Sequence, residues 1–401
     1  MKSKRLLYLA FDFPKIGKGN NLYTDLMEEF RDRGYEVYVA ACAQDAESAG
    51  YSLEGGLHVI RAKVPQHQNV GNIKKGISIL MMPYAYKRAL KKHLPKDIDF
   101  DLIIMPTPPI TLAGLAAKMK RKFKAPIYLI LRDIFPQNAV DLGFMGAGGL
   151  MHRFFSRMER KMYAAADKIG CMSQANIDFV KKHNPEVDPQ KLHILRNWQK
   201  AFDFEAVDKS AIKKEMGMEG KFLLFFGGNI GKPQRIENLV ELAKELSFKK
   251  EALIYVVGNG TEAEKLKQLV AQEKLENFIV KDFVPRETYF KLMQMADAGL
   301  ISLDHRFTIP NLPSKVLSYF NAAIPTVAII DTATDFGTWV EDEIGAGYWT
   351  TYDKVPEIAQ KISALIDDQA LATQLGKNGF DYFKGNLLPQ HAYQIIVDQM
   401  A

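Results

Sequence analysis

The sequence has very little cysteine, with Cys42 and Cys171 as the only two among 401 residues. A small fold held together by disulfides is therefore excluded. A cysteine-based zinc site is excluded as well, because it needs several clustered thiolates. Two thiols far apart in the sequence are typical of a protein from a reducing compartment, so we expect a cytoplasmic location.

The sequence also has no long hydrophobic run. The nearest candidate, residues 76–86 (GISILMMPYAY), contains Pro83 and is far shorter than the about 18 apolar residues that a membrane-spanning helix needs. This segment predicts contact with a membrane surface instead of a crossing. The apolar residues near the start are interrupted by Asp12, and they predict a first strand instead of a secretory signal.

Neither sign of charge dominates the composition. The chain has 53 basic and 47 acidic residues and a net charge of +6, so a preference for anionic partners has to come from local clustering. The 28 glycines and 18 prolines are scattered, and apolar residues make up 47%, which excludes wholesale disorder and collagen-like repeats. The remaining class is an ordinary globular chain of a length that favours two domains.

Short β-rich runs alternate with longer helical patterns along the chain. This alternation predicts an α/β fold, with parallel sheets joined by right-handed crossovers. We predict strands at residues 5–11, 35–41, 57–62, 101–106, 126–133, 167–173 and 191–195, and then at 222–228, 252–258, 278–283, 298–303 and 325–330.

The polar segment 197–220 separates the two series of strands and predicts a hinge near residue 205. We therefore expect two doubly wound Rossmann-like domains, residues 1–200 and 201–385, that face a central cleft. Residues 386–401 are predicted to form a helix that crosses back to the N-terminal domain. Ligands of such sheets bind where loops leave the carboxyl ends of the strands, so functional residues are expected in those loops.

Complete nucleotide-binding signatures are missing from these loops. The loop after the first strand has Gly17 and Gly19, and a later loop has Gly258 and Gly260, but neither has the third glycine of the dinucleotide fingerprint. A phosphate loop of the GxxxxGK[ST] type is also absent from the sequence. A nicotinamide enzyme is thus disfavoured, and each glycine pair fits a tight turn and a ligand contact equally well.

A basic loop follows the first strand of the second half. Lys232 and Arg235 come shortly after Gly227 and Gly228, at the start of a helical pattern. Two cations and a helix N-terminus predict a diphosphate site, and the alternative is a solvated basic turn.

A second basic helix start is predicted further along the chain. Pro313 and Ser314 indicate where this helix begins, with Ser314 as the N-cap and Lys315 in the first turn. A cation in that turn opposes the helix dipole, so an external anion explains Lys315 better than helix stability does.

Taken together, these blocks resemble the retaining glycosyltransferases of family 4, which have the two-Rossmann-domain GT-B fold. The sequence is most similar to the bacterial surface-polysaccharide branch that includes the WbuB-like N-acetyl-fucosaminyl transferases. The most specific stretches are residues 106–145, 225–243, 256–269, 283–303 and 312–328. The resemblance implies transfer of a sugar from a nucleotide-diphosphate donor, UDP-linked, to a lipid-linked or growing polysaccharide acceptor of capsule, O-antigen or exopolysaccharide.

The resemblance also implies which residues bind the donor. Loop residues of the second domain would hold its phosphates and pass close to its nucleotide: Gly228, Asn229, Lys232, Gly258, Gly260, Pro313, Ser314 and Lys315. Phe283 and Val284 would hold the base through their backbone. Gly17 and Gly19 would close over the donor sugar, and Asp133 would face the reacting sugar.

The sequence departs from the family pattern at two places. Many relatives have two glutamates, with seven residues between them, where this chain has Pro310 and Ser318. Neither carboxylate is present, and Ser318 offers only a hydroxyl to the ribose. Relatives also have His-Asp where this chain has Arg132 and Asp133, so a contact between Arg132 and phosphate is expected instead.

The resemblance further implies a front-face attack, in which the departing phosphate oxygen accepts the acceptor proton and no protein nucleophile is needed. The protein then has to position the reactants and stabilise phosphate charge. Lys232, Arg235 and Lys315 suit this role. The sequence has no evident metal-binding carboxylate cluster, so no metal or other cofactor is expected. Asp133 orients the acceptor hydroxyl or, alternatively, caps the turn before Pro136.

Residues 74–124 hold twelve cations and three anions. Together with the apolar run inside them, they predict a surface for anionic headgroups and lipid diphosphates, and hence peripheral attachment to the inner face of the plasma membrane. The alternative is that the apolar residues are core and the lysines solvate helices. A second basic face is predicted to be a solvated helix, with His152, Arg153, Arg157, Arg160 and Lys161. Nucleic acid is not expected as a partner, because exposed aromatics are not interleaved with these cations.

Two other functions fit part of the pattern. A sugar-nucleotide epimerase of the same fold needs acidic and histidine groups that face the sugar, and none of the eight histidines lies in an obvious cleft block. A donor-binding partner without activity of its own is favoured by the missing glutamate pair. Turnover by the purified chain alone separates these alternatives from a transferase.

Overall fold

The computed structural model describes residues 3–17, 19–43, 48–65, 72–202 and 208–401, without the side chains of residues 72–77, 286 and 287. It consists of two compact units, which we call the N-terminal domain (Met1–Lys200 with Pro389–Ala401) and the C-terminal domain (Ala201–Leu388). The predicted hinge point near residue 205 lies outside the described residues.

The N-terminal domain is an eight-stranded sheet in the order β3-β4-β2-β1-β5-β6-β7-β8, parallel except for the β3–β4 pair. Its strands are β1 (Arg5–Leu9), β2 (Glu36–Cys42), β3 (Gly50–Glu54), β4 (Leu57–Ala62), β5 (Leu102–Pro106), β6 (Ile127–Leu131), β7 (Lys168–Cys171) and β8 (Leu192–Ile194). Its helices are α1 (Leu22–Asp32), α2 (Asn72–His93), α3 (Ala113–Phe123), α4 (Gln137–Asp141), α5 (Leu150–Ala165) and α6 (Gln174–His183).

The C-terminal domain is a six-stranded parallel sheet in the order β11-β10-β9-β12-β13-β14. Its strands are β9 (Phe222–Gly227), β10 (Ala252–Val257), β11 (Phe278–Lys281), β12 (Ala298–Ser302), β13 (Thr326–Ile329) and β14 (Gly347–Thr350). Its helices are α7 (Lys209–Glu215), α8 (Glu237–Glu245), α9 (Ala263–Gln272), α10 (Arg286–Met295), α11 (Lys315–Asn321), α12 (Phe336–Thr338), α13 (Val355–Asp367) and α14 (Gln369–Asn386). The last helix of the chain, α15 (Pro389–Met400), belongs to the N-terminal domain.

The predicted α/β class is confirmed, and each of the twelve predicted strands overlaps an observed one. Two observed strands, β3 and β14, were not predicted. Both lie at sheet edges and are only four or five residues long. A short edge strand has one neighbour and an exposed rim, so its sequence lacks the continuous apolar run that marks the central strands.

The central strands are apolar because helices cover both faces of each sheet. Every residue of β5, β6, β9 and β10 is buried. The last helix, α15, helps to cover the N-terminal sheet by packing on α1, where the rings of Phe30 and Tyr393 lie 4.8 Å apart. Burial of this continuous apolar surface is the main stabilising term of such a fold.

The order of strands reverses beside the first strand of each sheet. In the N-terminal domain β1 lies between β2 and β5, and in the C-terminal domain β9 lies between β10 and β12. Within each sheet, the loop after this first strand and the loop after its neighbour across the reversal turn to opposite faces. They leave a crevice between them, where doubly wound sheets bind their ligands.

The apolar segment 76–86 lies within α2. Among its described side chains, Met82 and Tyr86 are buried, and Leu80, Met81 and Tyr84 are exposed. The segment is thus partly core and partly surface. Within the described residues, no helix combines the length and the apolar character that a membrane crossing requires.

Candidate active site

The loops after β9 and β10 pack directly against each other at the carboxyl edge of the C-terminal sheet. A Cβ atom on Gly258 would lie 1.8 Å from the carbonyl oxygen of Gly228, and one on Gly260 would lie 2.2 Å from that of Ile230. Both backbones therefore need glycine for their close approach. Loop packing accounts for these two glycines, and it brings together Gly228 and Gly258, two residues of the predicted donor site.

Lys315, in the first turn of α11, lies beside this pair of loops. A Cβ atom on Gly228 would be 3.4 Å from Lys315 Cε and 3.8 Å from Lys315 Nζ. The ammonium group lies over the ring of the buried Phe226, with Nζ 4.7 Å from the ring centroid. Among the described residues, Lys315 has no carboxylate partner and no hydrogen-bond acceptor.

Burial lowers the pKa of Lys315 to about 8. A lysine whose charge is desolvated and unpaired gains free energy when an anion arrives, because the anion replaces the lost hydration. The position of this amine beside an exposed glycine loop, at the reversal of strand order, suits a phosphate.

The backbone around Lys315 is fixed from within the core. Four residues later on α11, the hydroxyl of Tyr319 lies 3.2 Å from the carbonyl oxygen of Phe225 on β9 and 3.0 Å from that of Leu300 on β12. Pro313 and Ser314 precede the helix as predicted, although the Ser314 side chain makes no capping hydrogen bond. Tyr319 thus ties the helix start to the two strands that flank the crevice.

The predicted phosphate loop continues through Asn229 and Lys232. The amide group of Asn229 donates a 3.2 Å hydrogen bond to Gln234 Oε1, which also accepts one of 3.1 Å from the backbone of Gly231. Gln234 therefore holds the turn that presents Asn229 and Lys232. Both of these side chains are exposed at the same loop as Gly228.

Arg235 is directed to a different group of side chains. Its guanidinium contacts the His305 ring through a close nitrogen pair and lies 4.5 Å from the ring centroid of Tyr352. Burial and the Arg235 charge lower the pKa of His305, which favours the neutral ring. The structure thus brings Arg235 to the loops after β12 and β14, and it shows no contact of Arg235 with Gly228 or Lys315.

The remaining predicted residues of this domain lie around the same sheet edge. Phe283 follows β11, and its side chain is 74% exposed, whereas Val284 is half-buried. Pro310 is buried in the segment before α11, and Ser318 is half-buried in α11. These are the two positions where many relatives have the glutamate pair.

In the N-terminal domain, the loop after β6 carries Arg132 and Asp133. Both backbone amides donate to the hydroxyl of the buried Thr107 after β5, over 2.8 Å from Arg132 and 3.0 Å from Asp133. This pair of hydrogen bonds ties the two loops together. One terminal nitrogen of Arg132 is buried without a hydrogen-bond partner among the described residues, and the guanidinium carbon lies 5.9 Å from the Tyr23 ring centroid.

Asp133 reaches solvent, but the surrounding protein still desolvates it. Desolvation raises the pKa of the Asp133 carboxyl above its ordinary value, and the charge of Arg132 opposes this shift. A carboxylate in such surroundings is a stronger hydrogen-bond acceptor than one in water, so it suits the predicted role of orienting a hydroxyl.

Gly17 and Gly19 lie in the loop after β1, next to the β3–β4 turn. Gly17 has a φ of 83°, which favours glycine, and a Cβ atom there would meet no other atom within 4 Å. Just before it, the amide of Ile16 donates a 3.2 Å hydrogen bond to Glu54. Glu54 is in turn held by a buried ion pair with Arg61, which also hydrogen-bonds the Phe13 carbonyl oxygen over 3.3 Å.

Sequence reasoning did not identify five residues that support the site. Phe226 under Lys315 and Tyr319 behind it belong to apolar runs that predict core, and only the fold shows what they contact. Thr107 and the Glu54–Arg61 pair act on loops that are distant in the sequence, so no local pattern marks them. Within the described residues, no group of three or more histidine, cysteine or acidic side chains is placed to hold a metal ion.

Comparison with known proteins connects these loops to a chemistry. Residues 21–198 match the family model described as "Glycosyl transferase 4-like domain", and residues 208–382 match that of "Glycosyl transferases group 1". The chain is a two-domain glycosyltransferase. The two matches fall on its two domains and together cover most of its length.

Two curated relatives of this glycosyltransferase have matching names. It is 20% identical over 71% of its length to a probable glycosyltransferase WbjE of Pseudomonas aeruginosa, and the match covers 70% of that protein. It is 25% identical over 50% of its length to a putative colanic acid biosynthesis glycosyl transferase WcaI of Escherichia coli strain K12, half of which is covered.

Solved structures show the same fold. HepE of Anabaena in complex with UDP superimposes with a TM-score of 0.70, at 15% identity, over 99% of each chain. HepE has also been solved with UDP-glucose, and that structure superimposes on this chain with a TM-score of 0.67. At this identity the likeness establishes the GT-B type of fold and leaves the roles of individual residues to the geometry.

Proposed function

We propose that this glycosyltransferase transfers a sugar from a UDP-linked donor, with retention of the anomeric configuration, to a lipid-linked or growing bacterial polysaccharide. The observation that carries the proposal is Lys315, a desolvated ammonium group beside the Gly228 loop.

The C-terminal domain has the charge and shape for a diphosphate. Lys315 supplies a cation that has no carboxylate partner among the described residues, and the exposed Lys232 adds a second positive charge in the loop of Gly228. The glycine backbone of this loop leaves room for phosphate oxygens. Uracil is the favoured base, because the similarly folded HepE binds UDP and UDP-glucose. In this arrangement the backbone at Phe283 and Val284 contacts the base.

The proposed reaction exchanges one bond at the anomeric carbon for another on the same face. The bond from this carbon to the diphosphate oxygen breaks, and the acceptor hydroxyl oxygen forms the new glycosidic bond. The hydroxyl proton passes to the departing phosphate oxygen, so atoms and charge balance without a protein nucleophile. The enzyme's contribution is to place both partners and to stabilise the charge that develops on the diphosphate.

Several predicted residues have definite parts in this scheme. Lys315 and Lys232 stabilise the leaving diphosphate, and Arg235 acts on it only if its contact with His305 is exchanged. Asp133 accepts a hydrogen bond from the acceptor hydroxyl, and Arg132 offers to a nearby anion the nitrogen that has no hydrogen-bond partner among the described residues. Because these cations and helix starts meet the phosphate charge, the scheme needs no divalent metal.

A polysaccharide acceptor is supported by the relatives. One of them is named for colanic acid biosynthesis, and the sequence itself resembles the surface-polysaccharide branch that includes WbuB-like enzymes. We further propose peripheral attachment at the cytoplasmic face of the membrane through residues 74–124. In this range Lys87, Arg88, Lys91 and Lys92 are exposed along α2, whereas Lys74 and Lys75 have side chains outside the described residues.

The test compares UDP and UMP, which differ by the second phosphate. We expect the purified chain to bind UDP much more tightly than UMP, and Lys315→Met to remove most of this difference. Lys209→Met is the matched control, because burial also lowers the pKa of Lys209 but its amine is occupied by the Ala296 carbonyl oxygen at 3.0 Å. Equal binding of UDP and UMP by the wild-type protein would overturn the donor assignment.

A screen of nucleotide sugars then tests the reaction. We expect nucleotide release from a UDP-linked sugar in the presence of a lipid-linked acceptor, with the anomeric configuration of the product read by NMR spectroscopy. Binding of UDP without release from any donor would identify a non-catalytic donor-binding partner. Conversion of the donor into its epimer would identify an epimerase.

A further inference from the structure

An exposed apolar patch lies at the start of α5, outside residues 74–124. It consists of Leu150, Met151 and Phe154 in the first turns of the helix, and we call it the α5 patch. Phe144, in the loop before the helix, is exposed as well. Leu150 is 85% exposed, Phe144 67% and Met151 61%. A group of large apolar side chains at the surface of a protein indicates an interaction site.

The helical geometry places Leu150, Met151 and Phe154 on one side of α5. Leu150 and Phe154 are one turn apart, and Met151 is adjacent. The opposite side of the helix packs into the domain through Phe155, Glu159, Met162 and Tyr163, all of which are buried. The α5 patch is therefore not the side of the helix that packs into the core, because a different side already does so.

Unpaired cations continue the same side of the helix. Arg157 and Lys161 follow Leu150 by two and three turns, and Arg153 lies beside them. All three side chains are exposed, and none has an ion-pair partner among the described residues. The sequence alone predicted this basic face to be merely solvated, and it could not show that an apolar patch adjoins it.

The same order of side chains occurs on α2. Leu80, Met81 and Tyr84 are exposed there, and the exposed cations from Lys87 onward follow them. Helix α3 packs against both α2 and α5, so the three helices form one layer on the sheet. Each of them leads from the carboxyl end of one parallel strand to the start of the next, so all run in the same sense. On both helices, exposed cations thus follow the exposed apolar side chains toward the carboxyl end, and on α2 Lys74 and Lys75, whose side chains are not described, lie before them.

This arrangement matches the depth profile of one kind of partner. In a bilayer with anionic lipids, acyl chains lie beneath a layer of phosphates, and a surface with apolar residues beside cations contacts both. We propose that the α5 patch inserts into an anionic bilayer while the cations of α5 and α2 contact its headgroups. The inference rests on the proposed function in two respects: a lipid-linked acceptor gives membrane contact a purpose, and the α2 cations belong to residues 74–124, for which membrane attachment is proposed above. The α5 patch adds an apolar surface outside that range.

The experiment uses the full chain and vesicles of phosphatidylcholine, with and without phosphatidylglycerol. Leu150→Ser/Met151→Ser tests insertion, and Arg153→Gln/Arg157→Gln/Lys161→Gln tests the headgroup contact. We expect the apolar variant to lose at least about tenfold in vesicle affinity at low and at high salt. The charge variant should lose affinity mainly at low salt, because screening already removes its contribution at high salt.

Phe248→Ser is the matched control, since Phe248 is 68% exposed but belongs to the C-terminal domain. It should bind vesicles like the wild-type protein. Phe154 is left in place because its ring lies 5.2 Å from that of the buried Phe155, and its loss could disturb packing. Thermal unfolding of each variant confirms that the fold is intact.

Wild-type vesicle binding by the apolar variant would overturn the inference. A dimer of the wild-type protein in light scattering that dissociates in the apolar variant would also overturn it, by assigning the patch to a second copy. UDP binding separates these results from the proposed function. We expect UDP binding to be unchanged in the apolar variant. A wild-type protein that binds vesicles but does not bind UDP would contradict the proposed function alone.

Discussion

The two domains have the same architecture, but they prepare groups of opposite charge in their candidate sites. The C-terminal domain desolvates a cation, and burial lowers the pKa of Lys315 to about 8. The N-terminal domain desolvates an anion, and this raises the pKa of Asp133. In each case the protein disfavours the charged form, so each group gains most from a partner that stabilises it.

The supporting contacts differ as well. Lys315 lies over an aromatic ring beside a glycine loop and has no acceptor among the described residues, which leaves its ammonium group available to an external anion. Asp133 is held by its backbone, through the hydroxyl of Thr107, which leaves the carboxylate available to a hydroxyl. The comparison assigns binding of phosphate charge to the C-terminal domain and orientation of the acceptor to the N-terminal domain.

Replacing Lys315 should have the largest effect. We expect Lys315→Met to lower kcat/KM by about 100- to 1000-fold, because the amine stabilises charge that develops on the diphosphate. The folded protein should lose no stability, since an apolar side chain of similar length suits the ring of Phe226. Steady-state kinetics beside thermal unfolding measures both quantities, with Lys209→Met as the control. Turnover at the wild-type rate in Lys315→Met would contradict the assignment of phosphate binding to Lys315 of the C-terminal domain.

Lys232→Ala should have the next largest effect. Lys232 is exposed in a loop, so truncation removes little packing, and we expect kcat to fall by more than about tenfold while the melting temperature stays the same. Near-normal kcat would leave the phosphate role to Lys315 and to Arg235. A fall in kcat that is accompanied by a lower melting temperature would count against a role confined to phosphate.

The pH dependence should reveal the lowered pKa of Lys315. Only the protonated amine binds an anion, so kcat/KM should decline above about pH 8, by about tenfold at pH 9. Lys315→Arg keeps its charge in this range and should abolish the decline.

The stability of the folded protein should change with pH in the opposite sense to its activity. Between pH 8 and 10 the unfolded chain binds the proton more strongly than the folded protein, so wild-type stability should rise with pH relative to Lys315→Met.

Asp133→Asn tests the other half of the comparison. We expect a decrease of about tenfold in kcat, the value of one hydrogen bond to a charged acceptor. The wild-type protein should lose activity as the pH falls through the raised pKa of Asp133, because protonation removes the acceptor. Asp133→Asn should lack this acidic decline. An unchanged acidic decline in the variant would assign it to a different group.

Chelation should have the smallest effect. If protein cations meet the phosphate charge, excess chelator leaves turnover unchanged. The measurement is kcat with chelator and after re-addition of Mg²⁺ or Mn²⁺. A complete loss of turnover that either metal reverses would contradict the proposal that protein cations alone stabilise the phosphate charge.

The sequence predicted that Lys315 binds an external anion, and the structure places Lys315 in the first turn of α11, where that prediction put it. A cation in the first turn opposes the helix dipole, and this local conflict indicated an external anion before any contact was known. The ring beneath it was not predictable, because Phe226 in a continuous apolar strand is indistinguishable from any other core residue. An unfavourable local placement, such as a cation at a helix start, can be recognised in a sequence. The residue that a buried side chain contacts cannot be recognised there.

The glycines show a second limit. The sequence left Gly258 and Gly260 open between turn geometry and ligand contact. The structure shows that their Cβ positions are filled by the backbone of the loop after β9. That close approach depends on β9 and β10 being paired, and their pairing is a property of the whole sheet.

The sequence by itself determined the alternation of strands and helices, and with it the α/β class. Periodicity and propensity act over a few residues, and central strands covered on both faces have unmistakable apolar runs. Tertiary structure decided the rest. The order of the strands set which loops meet at the crevice. The packing of α5 left Leu150 and Met151 exposed beside cations that have no ion-pair partner among the described residues. Both outcomes depend on residues far apart in the chain, because only packing in space determines which surfaces are buried and which remain free.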